Sequence, residues 1–288
     1  MKTIITVIGP TASGKTEQSI QLAKKLNTEI ISADSRQFFR ELTIGTAKPL
    51  PEQLKQVPHH FINTLSIQQN YNAGIYETDA LELIDRLFKK HDELILTGGS
   101  GIYINAVLKG FDHLPEADKE IRNGLKNDLI THGIEYLQNE LLKMDKAYYH
   151  TVDLKNPQRL MRALEVCIIT GKPYSELLHK YSTAAKRNFS VKIYGLDTER
   201  NELYKRINYR VDKMIKNGLI EEARSLLPFR NHNALQTVGY KELFDYFNGM
   251  ITREEAIEAI KKNTRNYAKR QLTWFRKMEG VEWVRSIM

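Results

Sequence analysis

Thr3-Ile4-Ile5-Thr6-Val7-Ile8-Gly9-Pro10-Thr11-Ala12-Ser13-Gly14-Lys15-Thr16 is the stretch that decides the fold. Six residues rich in β-branched side chains run directly into a glycine loop. Residues 17–26 follow, with apolar Ile20, Leu22, Ala23 and Leu26 at helical spacing. Gly9–Thr16 matches G-x-x-x-x-G-K-[ST] in the strand-to-helix context the motif requires. Backbone N–H groups around Gly14, backed by a helix N-terminus, cradle phosphate oxygens. Lys15 adds a point charge, and the Thr16 hydroxyl is placed to bind Mg²⁺. A plain glycine turn would not require Lys-Thr at these positions. The loop predicts a di- or triphosphate ligand without specifying ATP.

Working outward, Glu29–Ala33 is a second short apolar run, Phe61-Ile62 a weak third strand candidate, and Glu93–Thr97 a strand ending in Gly98-Gly99. Leu81–Phe88 is helical by spacing. Strands alternating with helices predict a parallel sheet covered on both faces. From 115 to 187 the strand signal disappears, and Ile134–Leu142 and Leu160–Ile169 have helical spacing. Ser190–Leu196 then reads as one more strand, followed by helices over Leu203–Leu227, Lys241–Asn248 and Glu254–Lys277. The expected fold is α/β, a P-loop NTPase-like parallel sheet core with a helical insertion domain and a helical C-terminal part. The core takes residues 1–114 and 188–288, and the insertion 115–187.

The chain has 288 residues, ample for a large core, and a single cysteine, Cys167, which excludes an internal disulfide and any multi-cysteine metal site. Cys167 lies in an apolar run and reads as a buried thiol in a reducing, cytoplasmic compartment. No apolar run approaches the roughly 20 residues of a membrane helix. Met1-Lys2 is too short a lead for a signal peptide. The net charge of +8 is uneven, about +1 over residues 1–110 and +7 beyond. Lys261–Lys277 holds seven Lys and Arg and no acid, with Tyr267, Trp274 and Phe275 interleaved. Such a tract suits a polyanion with bases to stack, or is a solvated helix face.

The strand Glu93–Thr97 ends without the acid that often accompanies a phosphate loop. Asp34, closing the run Ile30-Ile31-Ser32-Ala33, is the candidate instead, as metal ligand, general base, or merely a helix cap or turn residue. Ligands of open parallel sheets bind beyond the carboxyl ends of the strands, where Thr11–Thr16, Asp34 and Ser100 would gather.

Several blocks together resemble the tRNA dimethylallyltransferases in their bacterial form. They are Gly9–Thr16, Ser32-Ala33-Asp34-Ser35-Arg36-Gln37, Ile44-Gly45-Thr46-Ala47-Lys48-Pro49 and Gly98-Gly99-Ser100-Gly101-Ile102-Tyr103. Asn156–Glu165, Val238-Gly239-Tyr240-Lys241-Glu242 and Ala268–Phe275 complete the series, in order over nearly the whole chain. The family moves a dimethylallyl group from its diphosphate to the exocyclic amine of the adenine 3′ of the anticodon. The resemblance implies that Gly9, Pro10, Thr11, Ala12, Ser13, Gly14, Lys15 and Thr16 hold dimethylallyl diphosphate, with Thr16 on Mg²⁺ and Arg206 and Arg210 near the diphosphate. It implies that Asp34 takes the amine proton, and that Ser100, where the family commonly has Thr, helps position the adenine. Ser35, Arg36, Gln37, Arg122, Gln158, Arg159, Leu160, Met161, Arg162, Gln236, Thr237, Val238, Gly239, Tyr240 and Lys241 are implied contacts to the tRNA anticodon stem-loop. No Cys/His zinc appendage follows residue 288, in keeping with the bacterial form. A monomer is expected.

The main rival is a small-molecule or nucleoside kinase, which uses the same loop and a helical lid. A GTPase-like switch or non-catalytic RNA binder is a second; no Asn-Lys-x-Asp guanine signature is present.

Overall fold

The structure, a computed structural model, describes residues 1–111, 114–178 and 187–287. The chain divides into two compact units, Met1–Leu108 with Arg187–Met288, and Lys109–Lys186.

In chain order the elements are β1 (Thr3–Ile8), α1 (Lys15–Leu26), β2 (Ile30–Ser32), α2 (Pro51–Leu54), β3 (His59–His60), α3 (Ala73–Leu87), β4 (Glu93–Gly98) and α4 (Gly101–Leu108). The second unit holds α5 (Lys119–His132), α6 (Ile134–Met144), α7 (Lys146–Tyr149), α8 (Pro157–Thr170) and α9 (Tyr174–Leu177). The first unit resumes with β5 (Ser190–Leu196), α10 (Arg200–Lys216), α11 (Leu219–Ser225), α12 (Tyr240–Phe247), α13 (Arg253–Phe275) and β6 (Val281–Val284).

The six strands form one sheet in the order β3-β2-β4-β1-β5-β6. Every pairing is parallel. Strand β1 is buried along its whole length, as a central strand of a doubly covered sheet must be. Its period-two alternation assigns the faces. Ile4 and Ile8 pack with α3, α4 and Phe275. Ile5 and Val7 pack with α1 through Ile20, Leu22 and Ala23. Truncating a fully buried aliphatic such as Ile4 to Ala costs about 2–5 kcal/mol. A separate cluster joins Phe39 and Leu42 to Val211, Leu219, Tyr240, Leu243 and Ile260, tying α10–α13 to the loop after β2. In the second unit Leu137, Leu141, Leu160, Met161 and Leu164 form the core of a packed helix group, each helix burying one stripe.

Three expectations need correction. The third strand is His59–His60 and not Phe61-Ile62, because Phe61 and Asn63 adopt left-handed φ of 62° and 58° and turn the chain out of the sheet. The helix expected over Leu203–Leu227 is broken at Gly218, whose φ of 99° cannot continue a right-handed helix. A sixth strand, β6, follows the basic helix, where none was expected. Cys167 is free and buried. Among the described residues no helix is long and apolar enough to cross a membrane.

Candidate active site

The carboxyl ends of β1, β2 and β4 converge because their following turns are bonded to one another. The Ala33 N–H donates to Thr97 O at 2.7 Å, and the Ser100 N–H to Ala33 O at 3.4 Å. A Cβ on Gly98 would stand 2.3 Å from the Ala33 carbonyl oxygen, so only glycine lets the turn after β4 lie against β2. Gly14 caps α1 in the left-handed region at φ 93° without a side-chain cap, leaving the first helical N–H groups to a ligand.

A cavity of about 340 Å³ opens over these ends. Residues 11–17 line it together with Asp34, Arg36, Gln37, Thr97–Gly99, Arg210 and Gln271. Val211, Met214, Leu219, Val238 and Ile260 give it an apolar wall. The Lys15 ammonium donates to Gly9 O at 2.9 Å and Pro10 O at 2.8 Å, folded back onto its own loop. Removal from water and then the neighbouring Arg210 pull its pKa down to about 7, against the opposing pull of Asp34. Arg210 donates to Thr11 Oγ1 at 3.2 Å. Burial lowers its pKa too, while Asp34 opposes that shift. Three basic side chains, Lys15, Arg36 and Arg210, and two carboxylates, Glu17 and Asp34, thus line a site with an excess of basic groups, the environment a diphosphate neutralises. The Ser13 hydroxyl is buried with no hydrogen-bond partner, a polar atom aimed within a phosphate cradle.

Asp34 caps no helix. Its Oδ1 accepts the Arg36 N–H at 3.0 Å in a tight turn, which fixes the carboxylate at the cavity edge. The Ser100 hydroxyl accepts the Ser35 N–H at 3.1 Å and donates to Ser35 Oγ at 3.1 Å. The two turns that carry the candidate acceptor groups are therefore stitched together. A second cavity of about 590 Å³ adjoins, lined by Ser35, Arg36, Gln236, Thr237, Val238, Lys241, Tyr267 and Arg270 among others.

Sequence reasoning missed Gln271. Its Oε1 accepts the Thr11 N–H at 2.8 Å and its Nε2 donates to Gly99 O at 2.8 Å, so α13 clasps the phosphate loop and the turn after β4 at once. Trp274, one turn on, covers Gly101 so closely that a Cβ there would meet the indole at 2.2 Å. The i, i+4, i+7 spacing of Tyr267, Gln271 and Trp274 carried this signal, hidden inside a segment whose charge drew attention to its outer face. Glu222 was also missed. Its carboxylate accepts the N–H groups of Thr43, Ile44 and Gly45 and the Tyr240 hydroxyl, and so anchors the loop that closes one side of the cavity.

Other candidates fall elsewhere. Arg206 pairs with Glu202 at 2.9 Å on the surface of α10 and does not line the cavity, unlike Arg210 one turn later. Tyr240 is fully buried against Gly45 and offers no side-chain face to an RNA. Leu160 and Met161 belong to the core of the second unit, while Gln158 and Arg159 are exposed. Arg122 and Arg162 both bind the buried Glu165, at 2.6 and 2.8 Å, and stay partly exposed. In the basic tract Phe275 is core, Lys261 pairs with Asp212 and Glu258, and Arg265 donates to Asn208.

Fold and site together define a phosphate-loop α/β enzyme with two adjoining cavities that share Arg36, Thr237, Val238 and Tyr267 in their linings. A family model described as IPP transferase matches residues 37–278. The tRNA dimethylallyltransferase of Christiangramia forsetii is 52% identical over 280 residues, covering 97% of this chain and 92% of the relative. That of Flavobacterium johnsoniae is 51% identical over 289 residues, covering 98% and 93%. The tRNA isopentenylpyrophosphate transferase of Bacillus halodurans superposes with a TM-score of 0.72 at 38% identity, covering 99% of this chain and 90% of that one. A eukaryotic dimethylallyltransferase acting on tRNA superposes with a TM-score of 0.83 at 26% identity, covering 99% and 74%. The chain belongs to the IPP transferase family, that of the tRNA dimethylallyltransferases.

Proposed function

We propose that this enzyme transfers a dimethylallyl group from dimethylallyl diphosphate to the exocyclic amine of the adenine 3′ of the anticodon in tRNA, releasing diphosphate. One observation carries the division of labour: Asp34 lines the phosphate-loop cavity while its neighbour Ser35 lines the second, so a donor and an acceptor approach the same carboxylate from two sides. The loop N–H groups, Lys15 and Arg210 hold the diphosphate, and the apolar wall from Val211 to Ile260 receives the prenyl tail. As the C1–N bond forms and the C1–O bond breaks, the charge gained by the departing diphosphate falls on groups already oriented toward it. The adenine amine is a weak nucleophile whose lone pair is delocalised into the ring. Asp34 takes its proton as the bond forms, and Ser100 holds the base edge in place. The target base must leave its stack to reach the carboxylate.

The site fits Mg²⁺ carried in with the diphosphate. Thr16 and Asp34 offer hard oxygen donors on the cavity wall, and Mg²⁺ characteristically takes one or two such groups plus phosphate oxygens. Thr16 would hold the ion, which would supply further positive charge to the leaving group. In the first unit Lys241 and Arg270 line the second cavity, and in the second unit Gln158 and Arg159 are exposed; each pair offers polar or basic groups suited to an anticodon stem-loop.

A thermal-shift titration with Mg²⁺ separates this reading from the kinase. Dimethylallyl diphosphate is expected to raise Tm more than ATP does at equal concentration. Strong stabilisation by ATP with none from the prenyl diphosphate would replace the proposal with a kinase.

A further inference from the structure

The two cavities share a neck. Arg36, Thr237, Val238 and Tyr267 line both, and Tyr267 is the one aromatic ring among them. Tyr267 lies on α13 one turn before Gln271, whose paired bonds to Thr11 and Gly99 fix that part of the helix. Its phenol is hydrogen-bonded to the Ser100 hydroxyl and lies within electrostatic reach of Asp34 and Arg36. Burial, with Asp34 adding to it, outweighs the opposing pulls of the Ser100 bond, Arg36 and Arg270 and pushes the phenol up to about 12, so it stays protonated at any working pH. The Arg270 guanidinium stands 5.8 Å from the ring centroid on the outer side of the same helix.

A planar base that brings its exocyclic amine to Asp34 from the second cavity must pass this neck. We propose that the ring of Tyr267 is the surface on which the acceptor purine stacks, positioning its amine at Asp34. The proposal rests on the reading that the acceptor is an RNA base. Stacking is indifferent to base identity, so choice of adenine falls to the hydrogen-bonding groups beyond the ring. The phenol has a separate task, holding Ser100.

The test uses the full chain and an unmodified anticodon stem-loop RNA, with Tyr267→Leu and Tyr267→Phe beside the wild type. Tyr267→Leu should raise KM for the RNA about 5- to 150-fold, the loss of one base–aromatic stack. The Kd for dimethylallyl diphosphate, measured by calorimetry, should not change. Tyr267→Phe should restore most of the KM. A stem-loop with 2-aminopurine in place of the acceptor adenine adds a direct readout: its bound fluorescence should be quenched by the wild type and by Tyr267→Phe, and not by Tyr267→Leu. Unchanged KM and quenching in Tyr267→Leu overturn the proposal. So does a loss that Phe fails to restore, which would assign the effect to the bond with Ser100. A parallel loss of donor affinity overturns it as well, since the ring would then only shape the cavity. A wild type that transfers nothing to RNA overturns the acceptor reading, and this proposal with it.

Discussion

Lys15 donates to two carbonyl oxygens of its own loop, Gly9 O and Pro10 O. Removal from water and the nearby Arg210 bring its pKa to about 7, so a large fraction is neutral at pH 8. A bound diphosphate raises that pKa again, because opposite charge favours the ammonium. Donor binding should therefore take up protons above pH 7, and donor affinity should weaken as pH rises further. Calorimetry in buffers of different ionisation enthalpy checks this. At pH 8 the wild type should take up as much as one proton more than Lys15→Arg, which stays charged throughout and reports the donor's own titration. Equal uptake by the two would show that Lys15 is already charged in the free loop. The residue pattern of the loop was fully legible in the sequence, since its chemistry is local. The partner that fixes it, Gln271, lies 260 positions from Thr11 and could be placed only by the fold.

Strands β2 to β4 are also tied at their amino ends, on the side away from the site. Glu29, just before β2, accepts from or shares a proton with His60 Nε2 at 2.6 Å and His91 Nε2 at 3.2 Å. Burial acts to raise the Glu29 pKa, but its bonds to His60 and His91 outweigh that and leave it below its ordinary 4.5. A depressed folded pKa means stability present above the unfolded value and lost as pH falls through the folded one. Glu29→Gln should thus lower Tm at pH 7, and the gap to the wild type should close as pH drops below about 4.5. Thermal melts along that range check it, and a gap independent of pH would refute the linkage. Among the elements, those with a strong period were legible: β1, α1, β4, β5 and the long α13. Those missed are short or depend on context. Val281–Val284 has only four residues after a long polar helix, and its place beside β5 is set by Gly195, where a Cβ would meet the Trp283 ring at 2.7 Å. The His59–His60 strand has no apolar signature at all, and its two residues pair with Ile30 and Ile31 only because the preceding loop delivers them there.

The excess of basic residues in the later part of the chain was legible as a hint of a polyanion, but charge alone did not separate structural cations from available ones. Arg122 and Arg162 are committed to Glu165, and Lys261 to Asp212 and Glu258. Arg159 is exposed at the start of α8, which makes it the better probe of RNA phosphate contact. Arg159→Ala should reduce the slope of log affinity against log salt by about 0.7–0.9 if it neutralises one phosphate. Donor affinity should stay constant; an unchanged slope in a filter-binding titration with stem-loop RNA would make Arg159 a solvated surface residue. In the proposed reaction the donor and the acceptor meet at Asp34. The most direct test is single-turnover transfer of labelled dimethylallyl from its diphosphate to unmodified tRNA, at saturating Mg²⁺ and donor, by the wild type and Asp34→Asn. Asparagine keeps the size and one acceptor oxygen but cannot take the proton. Transfer by the wild type is expected, with a rate lower by about 10²–10⁴-fold in the variant and tRNA affinity little changed. A near wild-type rate in Asp34→Asn, or no transfer by the wild type, would contradict it.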